Sequence, residues 1–397
     1  MDLNPRSYFT TEHEIFRKTV RSFVEKELLP HKTKWESERF VPKEIFKRLG
    51  EEGFLGINYP TEYGGSGCDL WFKVVLYEEL LRCRMNGFVM DVVVQSDIST
   101  GIIDAIGTQE QKLQFLKPAI AGLKVGGLGI TEPNAGSDVA RIATNARRKD
   151  DHYLINGSKM FITNGNRADF ITLAARTGPA LNEQNFSAGH KGISLIIFPT
   201  HDDQGKLTPG FSTQPIKNKL GNHSSDTAEL YFENSPVPIK NLLGEEHRGF
   251  YYIMQNFQGE RLHAAVMSVA CCQILLEDAI RYGYERQAFG QPIIKFQVWQ
   301  HRFAELATQI AAARELTYRA CDLFNQKIDC VTEISMAKLF STELVNRVAN
   351  EALQFHGGSG YLEEYDVARM FRDVRLVNIG GGASEIMREI IAKRIGL

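Results

Sequence analysis

Apolar residues recur every three to four positions through the first third of the chain. Over residues 8–29 they fall at Phe9, Ile15, Phe16, Val20, Phe23, Val24 and Leu28, the spacing of one helix face. Pro30 is expected to stop that helix and Pro42 to open the next, because proline lacks the N–H that a helix interior needs. Residues 58–67, NYPTEYGGSG, read as a loop. Helical spacing resumes near Leu70, with breaks expected near Gly87, Gly107 and Pro118.

The pattern changes near Leu123. Residues 153–155 and 160–163 are strand-like and flank Asn156-Gly157, which predicts a hairpin turn. Residues 170–175 and 193–199 are further strand candidates, and 177–190 read as a polar loop. Beyond Gly244 the helical spacing returns, predicting helices over 247–285, 295–327 and 331–356 and a last one from Ser384. The run Gly357-Gly358-Ser359-Gly360 interrupts this block. The expected organisation is α+β: a helical domain over 1–122, a β domain over 123–243 and a helical domain over 244–397.

Charge narrows the function. Lys and Arg total 46 against 48 Asp and Glu, so the basic footprint of a nucleic-acid binder is missing. The six cysteines (68, 83, 271, 272, 321, 330) have no CxxC spacing, which argues against a zinc or dithiol site and leaves no metal ligands to name. The start, MDLNPRSYFT, has no basic-then-apolar segment, so no signal peptide is expected. The longest apolar run, 264–276, is too short to span a membrane. A cytoplasmic location is expected, or the mitochondrial matrix for a processed eukaryotic form. The Asn-x-Ser/Thr matches at Asn156, Asn185 and Asn222 carry no weight outside a secretory setting.

The chain lacks a P-loop, HExxH, a GxSxG elbow and GxGxxG, which argues against a Rossmann-type site. Two features remain. Ile253, Phe257, Ala264, Met267 and Cys271 form an apolar helix face, and Glu260 stands on it. A carboxylate there is costly unless paired, with Arg261 or His263 at hand, or functional. Residues 131–138, TEPNAGSD, form a dense polar turn whose backbone N–H groups and hydroxyls suit either a plain turn or a cofactor.

Taken in order, several segments resemble one family, the acyl-CoA dehydrogenases, over essentially the whole chain. They are Glu62 to Gly67, Ile130 to Asp138, Asn156 to Gly165, Ser224 to Thr227, Glu285 to Gly290, Gln354 to Tyr361, and Arg369 to Ile386. The resemblance implies a helical N-terminal domain, a middle β-barrel or sandwich domain and a C-terminal four-helix bundle. It also implies FAD, an acyl-CoA substrate and oxidation to the trans-2-enoyl-CoA. In that chemistry a carboxylate takes the α-proton and hydride passes to flavin N5.

Most members place the base in a loop before the last helix, where this chain has Gly381. A minority, of the long-chain and isovaleryl (branched-chain) type, supply it from the long C-terminal-domain helix, and Glu260-Arg261 matches that placement. The resemblance therefore makes Glu260 the catalytic base. It puts Leu128, Ile130, Thr131, Phe161 and Thr163 against the flavin, and Ser137, Arg261 and Gly382 against the acyl-CoA. It assigns Arg286, Phe289, Gln297, Gln354, Gly357 and Gly358 to the FAD of a neighbouring subunit, so a homo-oligomer, a tetramer, is expected. An electron-transferring flavoprotein is the implied acceptor, and β-oxidation of fatty acids the implied setting. Phe161 replaces the more usual Trp, while His223, Ala383 and Glu385 also depart from the family pattern. A flavin monooxygenase would share the fold but need no such base, so Glu260 argues against it. A silent acyl-CoA-binding subunit would fit Gly381 only if Glu260 were unavailable.

Overall fold

The computed structural model describes residues 8–179, 189–202 and 204–397. Helix Thr11–Phe23 buries Val20 and Phe23 of the expected stripe. Pro30 does not end the helical path. The helix widens into a π turn at Val24–Leu28, tightens to a 3-10 turn at Leu29–His31 and resumes at Lys32–Glu38. At the start of a new helical segment a proline lacks only an N–H that would go unused. Helix Leu70–Leu80 is apolar all round because it lies between Thr11–Phe23 and the long helix Gly249–Glu285. Asp69 caps it, accepting from the Trp71 N–H at 2.9 Å.

The break expected near Gly87 falls at Arg84 (φ 58°) and Met85, and Gly87 itself sits in the first turn of helix Asn86–Val93. A Cβ at Gly87 would come within 2.8 Å of the Ser225 backbone nitrogen and 2.9 Å of the Asn222 carbonyl, so glycine here permits close packing rather than a turn.

The middle block is one eight-stranded sheet. Its strands are β1 (Gly126–Gly129), β2 (Asn145–Lys149), β3 (His152–Thr163), β4 (Phe170–Arg176), β5 (Ile193–Pro199), β6 (Phe211–Pro215), β7 (Thr227–Pro238) and β8 (Leu242–Leu243). The order is β6-β7-β3-β2-β4-β5-β8, with β1 parallel to β4. The hairpin expected at Asn156-Gly157 is not there. One strand, β3, runs through both residues, and the β2–β3 turn lies at Asp150 (φ 53°). Gly157 (φ 142°) instead marks a bulge, where the pairing with β7 shifts register. A twelve-residue partner strand outweighs a two-residue turn signal. Within the expected loop over 177–190, residues 180–188 lie outside the described residues, as does Asn185.

Both helical blocks share a core: Trp71, Leu76, Val266, Cys272, Phe303 and Val345 belong to one cluster. A second cluster joins Ile103, Phe115, Leu195 and Ile253 between one sheet face and the helices. A third holds Tyr153, Ile171, Phe198 and Leu230 on the other face. The C-terminal helices Gly249–Glu285, Gln297–Asn325, Val331–His356 and Ser384–Arg394 pack as a bundle. By length and composition Gly249–Glu285 could cross a membrane, but its apolar stretch is mostly buried inside the protein.

Candidate active site

Glu260 sits in mid-helix, half-buried, one turn after Phe257 and one before Ala264. Among the described residues no group hydrogen-bonds or ion-pairs with its carboxylate. Burial pushes its pKa up to about 7, with only Arg261 and then Lys338 pulling it back from longer range. The ion-pair reading of this position therefore fails: His263 turns instead toward Asp97, its Nδ1 3.9 Å from Oδ2.

The loop before the last helix comes to the same place. A Cβ built on Gly381 would lie 3.3 Å from Glu260 Oε1. Gly381 and Gly382 both hold positive φ, 63° and 93°. Lys338, fully buried on helix Val331–His356, donates from Nζ to the Gly382 carbonyl at 2.5 Å. Burial lowers its pKa to about 8, against the pull of Glu260. Arg261 is 5% exposed, and its Nε–H has no partner. That N–H lies beside Gly382, 3.5 Å from where a Cβ would stand. A buried guanidinium with an idle donor next to an unpaired carboxylate suits a polar ligand entering between them. Glu260, Arg261 and Gly382 are thus brought together. Lys338 was missed, although a lysine in phase with buried Ile334 and Thr342 was a signal.

The residues expected against the flavin form a second group. Ile130 is buried, Leu128 and Thr131 are partly open, and Ser137 is on the exposed part of the turn. The turn is stapled to β3: Met160 N–H donates to Thr131 O at 2.9 Å, and Lys159 Nζ to Ile130 O at 3.1 Å and Glu132 Oε1 at 2.7 Å. Glu132 also accepts from the Ala143 and Thr144 N–H groups. Burial opposes the Glu132 charge, but Lys159 and these donors outweigh it and hold its pKa below the ordinary range. Burial drives the Lys159 ammonium down to about 8. This pair rigidifies the loop and was not singled out by sequence reasoning. Phe161, 62% exposed, has φ 60°, a costly backbone for an aromatic residue, with half-open Thr163 two residues on. An exposed aromatic ring on a strained backbone, next in sequence to Met160, which is bonded to partly open Thr131, fits a flat cofactor ring that would cover it.

Both groups border one structure. The π turn Val94–Ser99 contacts β1 and the Glu260 helix. Asn256 Nδ2 donates to Ile98 O at 3.0 Å, and Thr172 Oγ1 to Ser99 O at 3.0 Å. The third predicted group sits elsewhere, on exposed surface. Arg286, Phe289 (95% exposed) and Gln297 flank a small hairpin, and Gln354, Gly357 and Gly358 end the helix beside it. Trp299 meets Phe355 at 4.8 Å and Tyr282 stacks on His356 at 4.2 Å, which joins the two segments. Ala383 precedes the last helix, and Glu385 lies exposed in its first turn. His223 lines a cleft of about 230 Å³ with Glu38, Arg39 and Lys219, which none of the predicted site residues enters.

Comparison with known proteins places this arrangement. Models of the acyl-CoA dehydrogenase N-terminal, middle and C-terminal domains match residues 10–123, 127–235 and 247–396. The chain is 39% identical over 396 residues to the long-chain specific mitochondrial acyl-CoA dehydrogenase of Mus musculus, covering 99% of this chain and 89% of that protein. The crystal structure of an acyl-CoA dehydrogenase from Geobacillus kaustophilus superposes with TM-score 0.92 at 40% identity, covering 98% and 99% of the two chains. That of a glutaryl-CoA dehydrogenase from Mycobacterium smegmatis in complex with FADH2 gives 0.89 at 29%, covering 98% and 95%. The fold is that of a flavin-dependent oxidoreductase. The chain belongs to the acyl-CoA dehydrogenase family, whose members bind FAD.

Proposed function

We propose that this enzyme oxidises an acyl-CoA thioester to the trans-2-enoyl-CoA with Glu260 as the base. The unpaired Glu260 carboxylate, with its pKa near 7, carries the reading. A general base works best when its pKa is close to ambient pH, since it is then ionised yet still basic. Bound FAD would supply the acceptor for the β-hydride. Leu128, Ile130, Thr131, Phe161 and Thr163 would hold it, with Thr131 fixed through the β3 staple. Arg261, whose idle Nε–H borders the Glu260 pocket, would meet the acyl-CoA along with Ser137 and the Gly382 backbone. The cationic Arg261 and Lys338 oppose Glu260 protonation without quenching the base in a direct pair.

Glu260 on the long helix, with glycine at 381, supports a long-chain or branched-chain substrate by likeness to the mouse relative. An electron-transferring flavoprotein would take the electrons onward, within fatty-acid β-oxidation. The exposed group from Arg286 to Gly358 supports assembly into a homotetramer in which each FAD is completed by a neighbour. The test is anaerobic mixing with acyl-CoA. The yellow flavin should bleach in the wild type and persist in Glu260→Gln, whereas bleaching at the wild-type rate in that variant rejects the assignment.

A further inference from the structure

One turn beyond Glu260, helix Gly249–Glu285 presents His263 to the interior. The ring is 6% exposed and neither nitrogen has a hydrogen-bond partner. A buried imidazole with two idle nitrogens is uncommon, because a donor and an acceptor both go unsatisfied. Its surroundings are polar yet already committed elsewhere. Lys73 and Asp97 form an ion pair, and Lys73 Nζ also donates to Ser96 O at 3.3 Å. Ser96 Oγ donates to Asp97 Oδ2 at 3.1 Å. Tyr77 Oη lies 3.1 Å from Ser96 Oγ, and its ring meets the edge of His263 at 5.3 Å. Burial lowers the His263 pKa, so the ring is neutral at pH 7 and offers one N–H and one lone pair.

The location matters. The π turn bearing Ser96 and Asp97 stands between β1, which leads into the flavin turn, and the helix bearing Glu260. On one side of Glu260 lie the partly open Gly381 and Gly382. Three residues further, about 4.5 Å along the helix axis and about 60° round it, buried His263 faces Tyr77 and Asp97. A thioester with its α-carbon at Glu260 and its CoA toward solvent would direct its tail into the interior, where His263 is buried.

We propose that His263, backed by the Lys73–Asp97 pair, forms a polar subsite for the distal end of the acyl group and selects acyl-CoA tails that carry an uncharged hydrogen-bonding group, such as a hydroxyl, a few carbons beyond the β-carbon. This rests on the reading of Glu260 as the base only for the orientation of the thioester. A neutral imidazole gives and accepts one hydrogen bond each, as a hydroxyl does. A plain methyl end would leave both nitrogens unpaired.

The test uses unreactive CoA thioethers, in which a methylene replaces the carbonyl, bearing a ladder of straight tails ending in methyl or hydroxyl. Calorimetric binding to the FAD-loaded enzyme should favour the hydroxyl end by roughly threefold to tenfold at one tail length. His263→Leu should reverse the preference, and His263→Gln, which keeps a donor and an acceptor, should retain it. A methyl preference in the wild type at every length, or an unchanged ratio in a folded His263→Leu protein, overturns the proposal. If His263→Leu fails to fold, the wild-type ladder decides alone: a hydroxyl preference at one tail length supports the proposal and a methyl preference at every length overturns it. Thioethers undergo no chemistry, so a failure of Glu260 as base would appear in flavin bleaching and not here.

Discussion

Burial raises the cost of ionising both Glu260, which is half-buried, and Glu132, which is buried, yet they end in opposite states. Glu132 meets Lys159 at 2.7 Å and two backbone N–H groups, and its pKa falls. Glu260 has cations only at longer range, and its pKa rises to about 7. Burial penalises both charges; the presence or absence of a direct partner decides the sign. The paired carboxylate holds a loop, and the unpaired one is free to take a proton.

Removing the proton acceptor should have the largest effect. Glu260→Gln should slow anaerobic flavin reduction by about 10²–10⁴-fold while the FAD content, read from the visible spectrum, stays at one per chain. Glu132→Gln keeps the proton acceptor and should act through folding instead. It strands the Lys159 ammonium, and denaturant unfolding should show a loss of about 3–5 kcal/mol, which a Lys159→Met partner change largely restores. If both variants lost bleaching with unaltered stability, the contrast would collapse.

The pH responses should also diverge. Reduction by substrate should climb as pH rises through about 7 and level off above it, because Glu260 must be ionised to act. For stability the sign reverses. A carboxyl with a raised folded pKa is comfortable below its unfolded value and costs stability as pH rises through about 7. Glu260→Gln should therefore be more stable than wild type at pH 8–9, by about 2 kcal/mol or less given its partial exposure, and nearly equal at about pH 4, below the unfolded pKa. Glu132→Gln should show no such gain. The smallest effect is expected from Gly381→Ala: a left-handed backbone and a Cβ 3.3 Å from Oε1 should cost about 1–2 kcal/mol by thermal unfolding, with the base still present.

The helical blocks were legible because their apolar spacing persists over dozens of residues: 331–356 matches the expected bounds, and 249–285 and 297–325 lie within two residues of them. Asn156-Gly157 misled because a local turn signal was overruled by a distant partner strand, β7, and Pro30 because a proline at the start of a new helical segment does not stop it. Glu260 was visible as a carboxylate on an apolar face, but whether Arg261 or His263 paired with it was a matter of side-chain direction. Lys338 lies 78 positions from Glu260 in sequence, a separation over which spacing carries no information. The exposed group around Arg286 and Gln354 could be found by likeness alone, since a surface loop leaves no periodic trace.

The nearness of Gly381 to Glu260 constrains substitution as well as chemistry. The two positions that the resemblance offers for the base, 260 and 381, open onto one small volume, so on the proposed reading either backbone could carry the carboxylate without moving the substrate. A chain with a carboxylate at both positions would carry two like charges in contact, and at neutral pH they would share a proton. Such a protein would have its working range displaced toward alkaline pH rather than lose its activity.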